Sequence, residues 1–153
     1  MATRIKPPPK KLYDEDFYVW AERQAELLRS RRLDQLDLDN LILEVEGLAD
    51  VKRSAVLNNA RVVAEHLLKL QHSPARDPRP GWEDSVFEHR SRLEIDLTPR
   101  LQQILEDEFA KVYRLARRNA EAALRRHGET AAADALPPTC PYTLDQITSD
   151  WLP

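Results

Sequence analysis

Glu44, Asn59, His66 and Arg90 are the side chains of this 153-residue chain whose types could do chemistry together. An imidazole titrates near neutrality, a carboxylate and a guanidinium can hold a charged ligand or each other, and an amide can orient it. Asn59 and His66 belong to a column with seven-residue spacing: Val45, Lys52, Asn59, His66. Beside it runs an apolar column expected to be core throughout: Ile42, Ala49, Val56, Val63, Leu70. Polar groups on a packing stripe must find partners or stay wet. They could line a polar pocket between the second and third predicted helices, with His66 as the titrating member. They could equally fix register or oligomeric state through hydrogen bonds, with Lys52 reaching outward to solvent. We favour that second, structural reading.

Other candidate groups are weaker. Glu44 and Glu46 lie two apart on a helix and so point ~200° away from each other. They cannot share a proton as an acid/base dyad. Glu44 is instead expected to reach Arg90 and so orient the second and third helices. The four histidines, His66, His72, His89 and His127, show no i, i+3 or i, i+4 spacing, so no metal site or other cofactor is expected. Cys140 sits between Thr139 and Pro141 with no nearby base in sequence, and is expected to anchor a loop with Tyr142 packed beside it. The basic stripe Arg114, Arg117, Arg118, Arg125, Arg126 is interrupted by Glu121, which can pair with Arg117 and Arg125 at four-residue spacing. Aromatic residues do not interleave with it, so it reads as a solvated face rather than a nucleic-acid surface. No residue set fixes a catalytic role, and an enzyme is the less favoured class.

Charge supports that exclusion. Four of the 23 basic residues (Arg4, Lys6, Lys10, Lys11) fall in the first eleven positions, so 19 face all 26 acids and the rest of the chain carries −7. A net-acidic body cannot neutralise many phosphates, which argues against a nucleic-acid-binding core. The single cysteine rules out an intramolecular disulfide and suits a reducing, cytoplasmic setting. No window approaches the ~18 apolar residues of a membrane span, so no membrane partner is expected.

The elements that must position these side chains are helical. Only three glycines occur, the eleven prolines are clustered, and no stretch alternates apolar and polar residues for long. Residues 1–12 read as a disordered Pro/Lys arm, and 13–153 as a single all-α domain. Asp14 is expected to cap a first helix whose face carries Phe17, Trp20, Ala21, Gln24, Leu27 and Leu28. The second helix, Asp37 to His72, would span roughly 50 Å, against a radius of gyration of ~15 Å for a globule of this size. It must kink, break or overhang. Gly47 and the Asn58-Asn59 pair are its weakest points, so a bend or break is expected near one of them. Ser73 to Gly81 reads as a loop, followed by a third helix carrying Trp82, Val86, Leu93 and Leu97. Thr98-Pro99 should open a fourth helix that stops at Gly128, and Thr143 with Gln146 should cap a short last one.

Blocks along the chain resemble an uncharacterised bacterial family catalogued as domain of unknown function 29. They are Tyr13-Asp14-Glu15-Asp16-Phe17-Tyr18-Val19-Trp20, Leu41-Ile42-Leu43-Glu44-Val45-Glu46-Gly47-Leu48, His66-Leu67-Leu68-Lys69-Leu70-Gln71-His72 and Cys140-Pro141-Tyr142-Thr143-Leu144-Asp145-Gln146-Ile147. Trp82 followed by His89-Arg90 matches a looser block in which Gln-Arg is expected, so His89 departs from it. The resemblance runs from Tyr13 to the C-terminus. It implies an all-α fold and no activity, substrate or cofactor.

The expectation is an all-α bundle of four main helices plus a short C-terminal helix, with neighbours antiparallel. Its function is unknown from sequence. The favoured role is a non-enzymatic protein-interaction or assembly module, with an unknown protein partner or self-association, because the long seam offers more packing surface than one small domain needs. The alternative is a small enzyme or ligand-binding protein whose pocket is formed by Glu44, Asn59, His66 and Arg90.

Overall fold

A computed structural model describes residues 11–153, and the basic arm falls almost wholly outside these. Among the described residues there are seven helices and no strand: α1 (Leu12–Glu15), α2 (Phe17–Arg29), α3 (Leu38–His72), α4 (Arg79–Asp96), α5 (Pro99–Arg126), α6 (Thr130–Asp134) and α7 (Leu144–Thr148). A single 3-10 turn, Leu33–Gln35, links α2 to α3. The four long helices and the short C-terminal one are those the sequence predicts. Among the described residues no helix is long and apolar enough to cross a membrane.

The chain divides into two compact units, one ending at Ala49 and the other running from Asp50 to Pro153. The first is a helical hairpin. Tyr13 Oη donates to Glu44 Oε1 at 2.6 Å, and Trp20 Nε1 donates to Asp37 Oδ2 at 3.1 Å. Lower numbers on α1 and α2 meet higher numbers on α3, so the two arms run antiparallel. Asp16, not Asp14, caps α2: its side chain accepts from the Val19 amide at 3.1 Å. Asp14 lies in the preceding one-turn helix, where its side chain cannot reach the first free amides of α2.

The second unit holds an extensive core. Val56, Val63, Ala64, Leu67 and Leu68 of α3 pack with Val86 and Leu93 of α4 and Leu105, Tyr113 and Ala116 of α5, all buried. The side-chain bonds set helix direction. Lys52 donates to Asp96 at 2.9 Å and Asn59 meets His89 at 2.7 Å, so α4 runs antiparallel to α3. Arg53 pairs with Glu108, and Asn119 donates to Glu65 at 3.4 Å, so α5 runs parallel to α3. Thr98 caps α5 by accepting from the Leu101 amide, and the Thr143–Gln146 capping box opens α7 as predicted. Gly128 stops the α5 region at φ 77°, a conformation that favours glycine. Helix α4 starts at Arg79, earlier than expected, because Pro80 fits the first turn of a helix, where amide donors lack partners anyway.

Two expectations for α3 are corrected, that of a break and that of an apolar column buried along its whole length. The helix is unbroken from Leu38 to His72. Asn58 and Asn59 do not interrupt it because both side chains are bonded elsewhere: Asn58 accepts from Arg61 at 3.0 Å, and Asn59 meets His89. They therefore do not compete for the helix's own backbone groups. The apolar column is also not core throughout. Val56, Val63 and Leu70 are buried, whereas Ile42 is 54% exposed and Ala49 is exposed too.

Candidate functional site

The four candidate residues have separate employments. Glu44, half-buried in the hairpin, accepts from the Tyr13 phenol. That hydrogen bond to a carboxylate holds the phenol's pKa above its ordinary value. Arg90, expected to pair with Glu44, is buried on α4 and donates instead to backbone. Its Nε reaches Ile147 O at 3.0 Å, and Nη2 reaches Gln146 O at 2.6 Å and Trp151 O at 2.7 Å. The physical reason is geometric: α7 packs on α4, and its last carbonyls have no partner within so short a helix. A guanidinium fork satisfies several at once.

Asn59 and His66 lie on the buried seam of α3. Asn59 Oδ1 meets His89 Nδ1, so the residue that departs from the family-like block supplies a partner for a seam polar group. His66 is half-buried, and its Nδ1 is buried without a hydrogen-bond partner. Burial pushes its pKa down from 6.5 to about 4, with the Lys69 charge acting in the same direction, Glu65 opposing, and His89 and Arg61 adding to the depression. The neighbouring ions form a chain along α3. Lys69 donates to Glu65 Oε1 at 2.7 Å and Arg61 to Glu65 Oε2 at 2.9 Å. Burial alone would raise the Glu65 carboxyl, but the bond to Lys69 and its charge hold it below the usual range. The Arg61–Glu65–Lys69 chain is internally satisfied, and His66 Nδ1 beside it has no partner.

Grooves open elsewhere on the second unit. One of about 250 Å3 lies between α3 and α5, floored by Leu57, Val112 and Leu115 and rimmed by Arg61, Glu108 and Lys111. Another, of about 270 Å3, lies beside Arg90, Glu94, Thr148 and Asp150. Arg90 touches the second, but its donors face the C-terminal carbonyls. Among the described residues no group of three or more His, Cys, Asp or Glu side chains is placed to hold a metal ion. Cys140 is half-buried, its thiol 3.5 Å from Tyr142 O, and burial pushes its pKa up, away from a reactive thiolate. Arg117 and Arg125 both pair with Glu121, and Arg117 also donates to the carbonyls of Leu136 and Pro137.

The feature that sequence reasoning passed over is an apolar face on the hairpin. Leu38, Ile42, Val45 and Leu48 of α3 are 56%, 54%, 63% and 69% exposed, and Phe17 and Leu28 of α2 are about half exposed. Trp20, Gln24 and Leu27 are the buried residues of α2, and the hairpin part of α3 buries none. The signal lies in the apolar column itself, which continues past the covered positions Val56, Val63 and Leu70 to the exposed Ile42 and Ala49.

No curated protein and no solved structure matched the chain. One family model, described as domain of unknown function DUF29, matches residues 12–152, and its description names no activity. The chain belongs to this DUF29 family.

Proposed function

We propose that this chain is a non-enzymatic protein-interaction module that works through the apolar face of its N-terminal hairpin. The supporting observation is the exposure of Leu38, Ile42 and Val45 along one stripe of α3, with Leu48 exposed at its edge. Scattered exposed apolar residues are ordinary on a protein surface, but a contiguous stripe marks a surface that another element covers. We read residues 13–153 as one domain, because one family model runs across both compact units. A cytoplasmic setting fits the single, half-buried Cys140.

The alternative, a ligand pocket around Glu44, Asn59, His66 and Arg90, gains less support. Three of the four side chains are bonded to the protein's own groups. The test is in-cell photo-crosslinking with a photoreactive amino acid placed at Val45, compared with one at Ile95, which is 83% exposed on α4. Protein adducts from position 45 and not from 95 are expected. Equal or absent capture at position 45 contradicts the reading.

A further inference from the structure

We infer that the hairpin face is covered by the same face of a second copy of this chain, so that two hairpins close into a four-helix arrangement. The inference rests on the proposed interaction role and names its partner. The geometry starts from one turn of ~100° per residue. On α3, Leu38, Ile42, Val45 and Ala49 then fall within about 60° of one another, in the 4-3-4 spacing of a helix-packing seam. On α2, Phe17, Ala21 and Leu28 fall within about 40°. The arms are antiparallel, as the Tyr13–Glu44 and Trp20–Asp37 bonds require. In an antiparallel pair of right-handed helices, these two stripes turn toward the same side of the hairpin.

Three observations favour a second copy. The seam is in register with a buried one: carried on in the same spacing past Lys52, an exposed lysine paired with Asp96, it becomes Val56, Asn59 and Val63, which are 1%, 6% and 0% exposed. The residues before Ala49 therefore have the composition of covered seam positions while being exposed in the single chain. The size is right. Five large apolar side chains on the two stripes (Leu38, Ile42, Val45, Phe17 and Leu28), about half to two-thirds exposed, present roughly 550 Å2, and Leu48 at the edge brings this to roughly 700 Å2, against the about 800 Å2 each partner gives to a standard interface. The face can also meet itself. Its stripe positions carry no charge, so a two-fold pairing opposes no like charges at its centre.

Light scattering on the purified full chain tests this. The expected mass is twice the 17.7 kDa of one chain, falling to the single-chain value in Ile42→Glu with the helical circular dichroism unchanged. Ile95→Glu, away from the face, should keep the double mass. A photoreactive residue at Val45 in the purified protein should join chain to chain. A single-chain mass at all concentrations overturns the inference, as does a dimer whose position-45 probe joins no second chain, whatever the fate of the Ile42→Glu variant. The two readings fail separately. A purified monomer whose in-cell probe captures a different protein refutes the second copy and leaves the interaction module standing, whereas no capture in either setting refutes both.

Discussion

Arg90 directs its guanidinium at the chain's own backbone, and that makes it a structural anchor for the C-terminal segment. Truncating it leaves the buried carbonyl of Ile147 and the part-buried ones of Gln146 and Trp151 without donors. Bonds to charged donors contribute about 1.5–3 kcal/mol, and unpaired buried acceptors add cost. Arg90→Ala should therefore lower unfolding free energy by about 2–4 kcal/mol in a denaturant titration, with hydrogen exchange accelerated across residues 144–151. Arg90→Lys should recover only part, because an ammonium cannot reproduce the fork. His66 supplies a pH dependence. Its folded pKa, about 4, lies below its unfolded value of 6.5. Between those values the unfolded chain binds the proton more readily, so the neutral histidine's contribution is full above pH 6.5 and is lost as pH falls toward 4. His72 and His89, also depressed by burial, act in the same direction. Melting temperature should decline across that window, and His66→Gln should flatten the decline; a slope unchanged by the substitution contradicts it. Seam polarity was legible in sequence at this scale. The Glu44–Arg90 pairing was not, because a sequence shows which charges exist and not which carbonyls a short terminal helix leaves unpaired.

Helix α3 shows what propensity can and cannot decide. Gly47 and Asn58-Asn59 are weak helix formers, yet the helix passes through all three. Asn58 is held by Arg61 one turn along the same helix, and Asn59 by His89, which only tertiary placement supplies. Gly47 has no such help; it is exposed, and a Cβ there would meet nothing within 4 Å. It lies on the side of α3 away from the apolar seam. Gly47→Ala should stabilise the protein by about 0.5–1 kcal/mol, the usual helix-interior difference, with no change in mass. A destabilised variant would mean that the native backbone bends at Gly47. At the other end of the chain, Thr143→Ala removes the capping box and should cost about 1 kcal/mol, read as faster exchange in α7. Caps and stops were readable because they depend on neighbours in sequence. The Asp14-for-Asp16 error was a two-residue shift among three consecutive acids, which composition alone does not separate.

At the scale of the molecule, the blocks that carry the family resemblance meet in pairs. The Tyr13 block bonds to the Glu44 block, Gln71 accepts from Tyr142 at 2.8 Å, and Arg90 gathers the residues around Gln146 and Trp151. The all-α architecture followed from periodicity. The division into a well-filled unit from Asp50 onward and a thin hairpin before it did not, since the same apolar spacing runs through both. Spacing reports that a face is meant to be covered, and not by what. Our account holds that this face is covered by its twin. Hydroxyl-radical footprinting of the full chain reads this side chain by side chain, with Ile95 as the exposed reference. Val45 and Leu48 should label far more slowly than Ile95 in the unsubstituted protein and approach its rate in Ile42→Glu. Labelling of Val45 and Leu48 as fast as Ile95 in the unsubstituted protein would contradict the account.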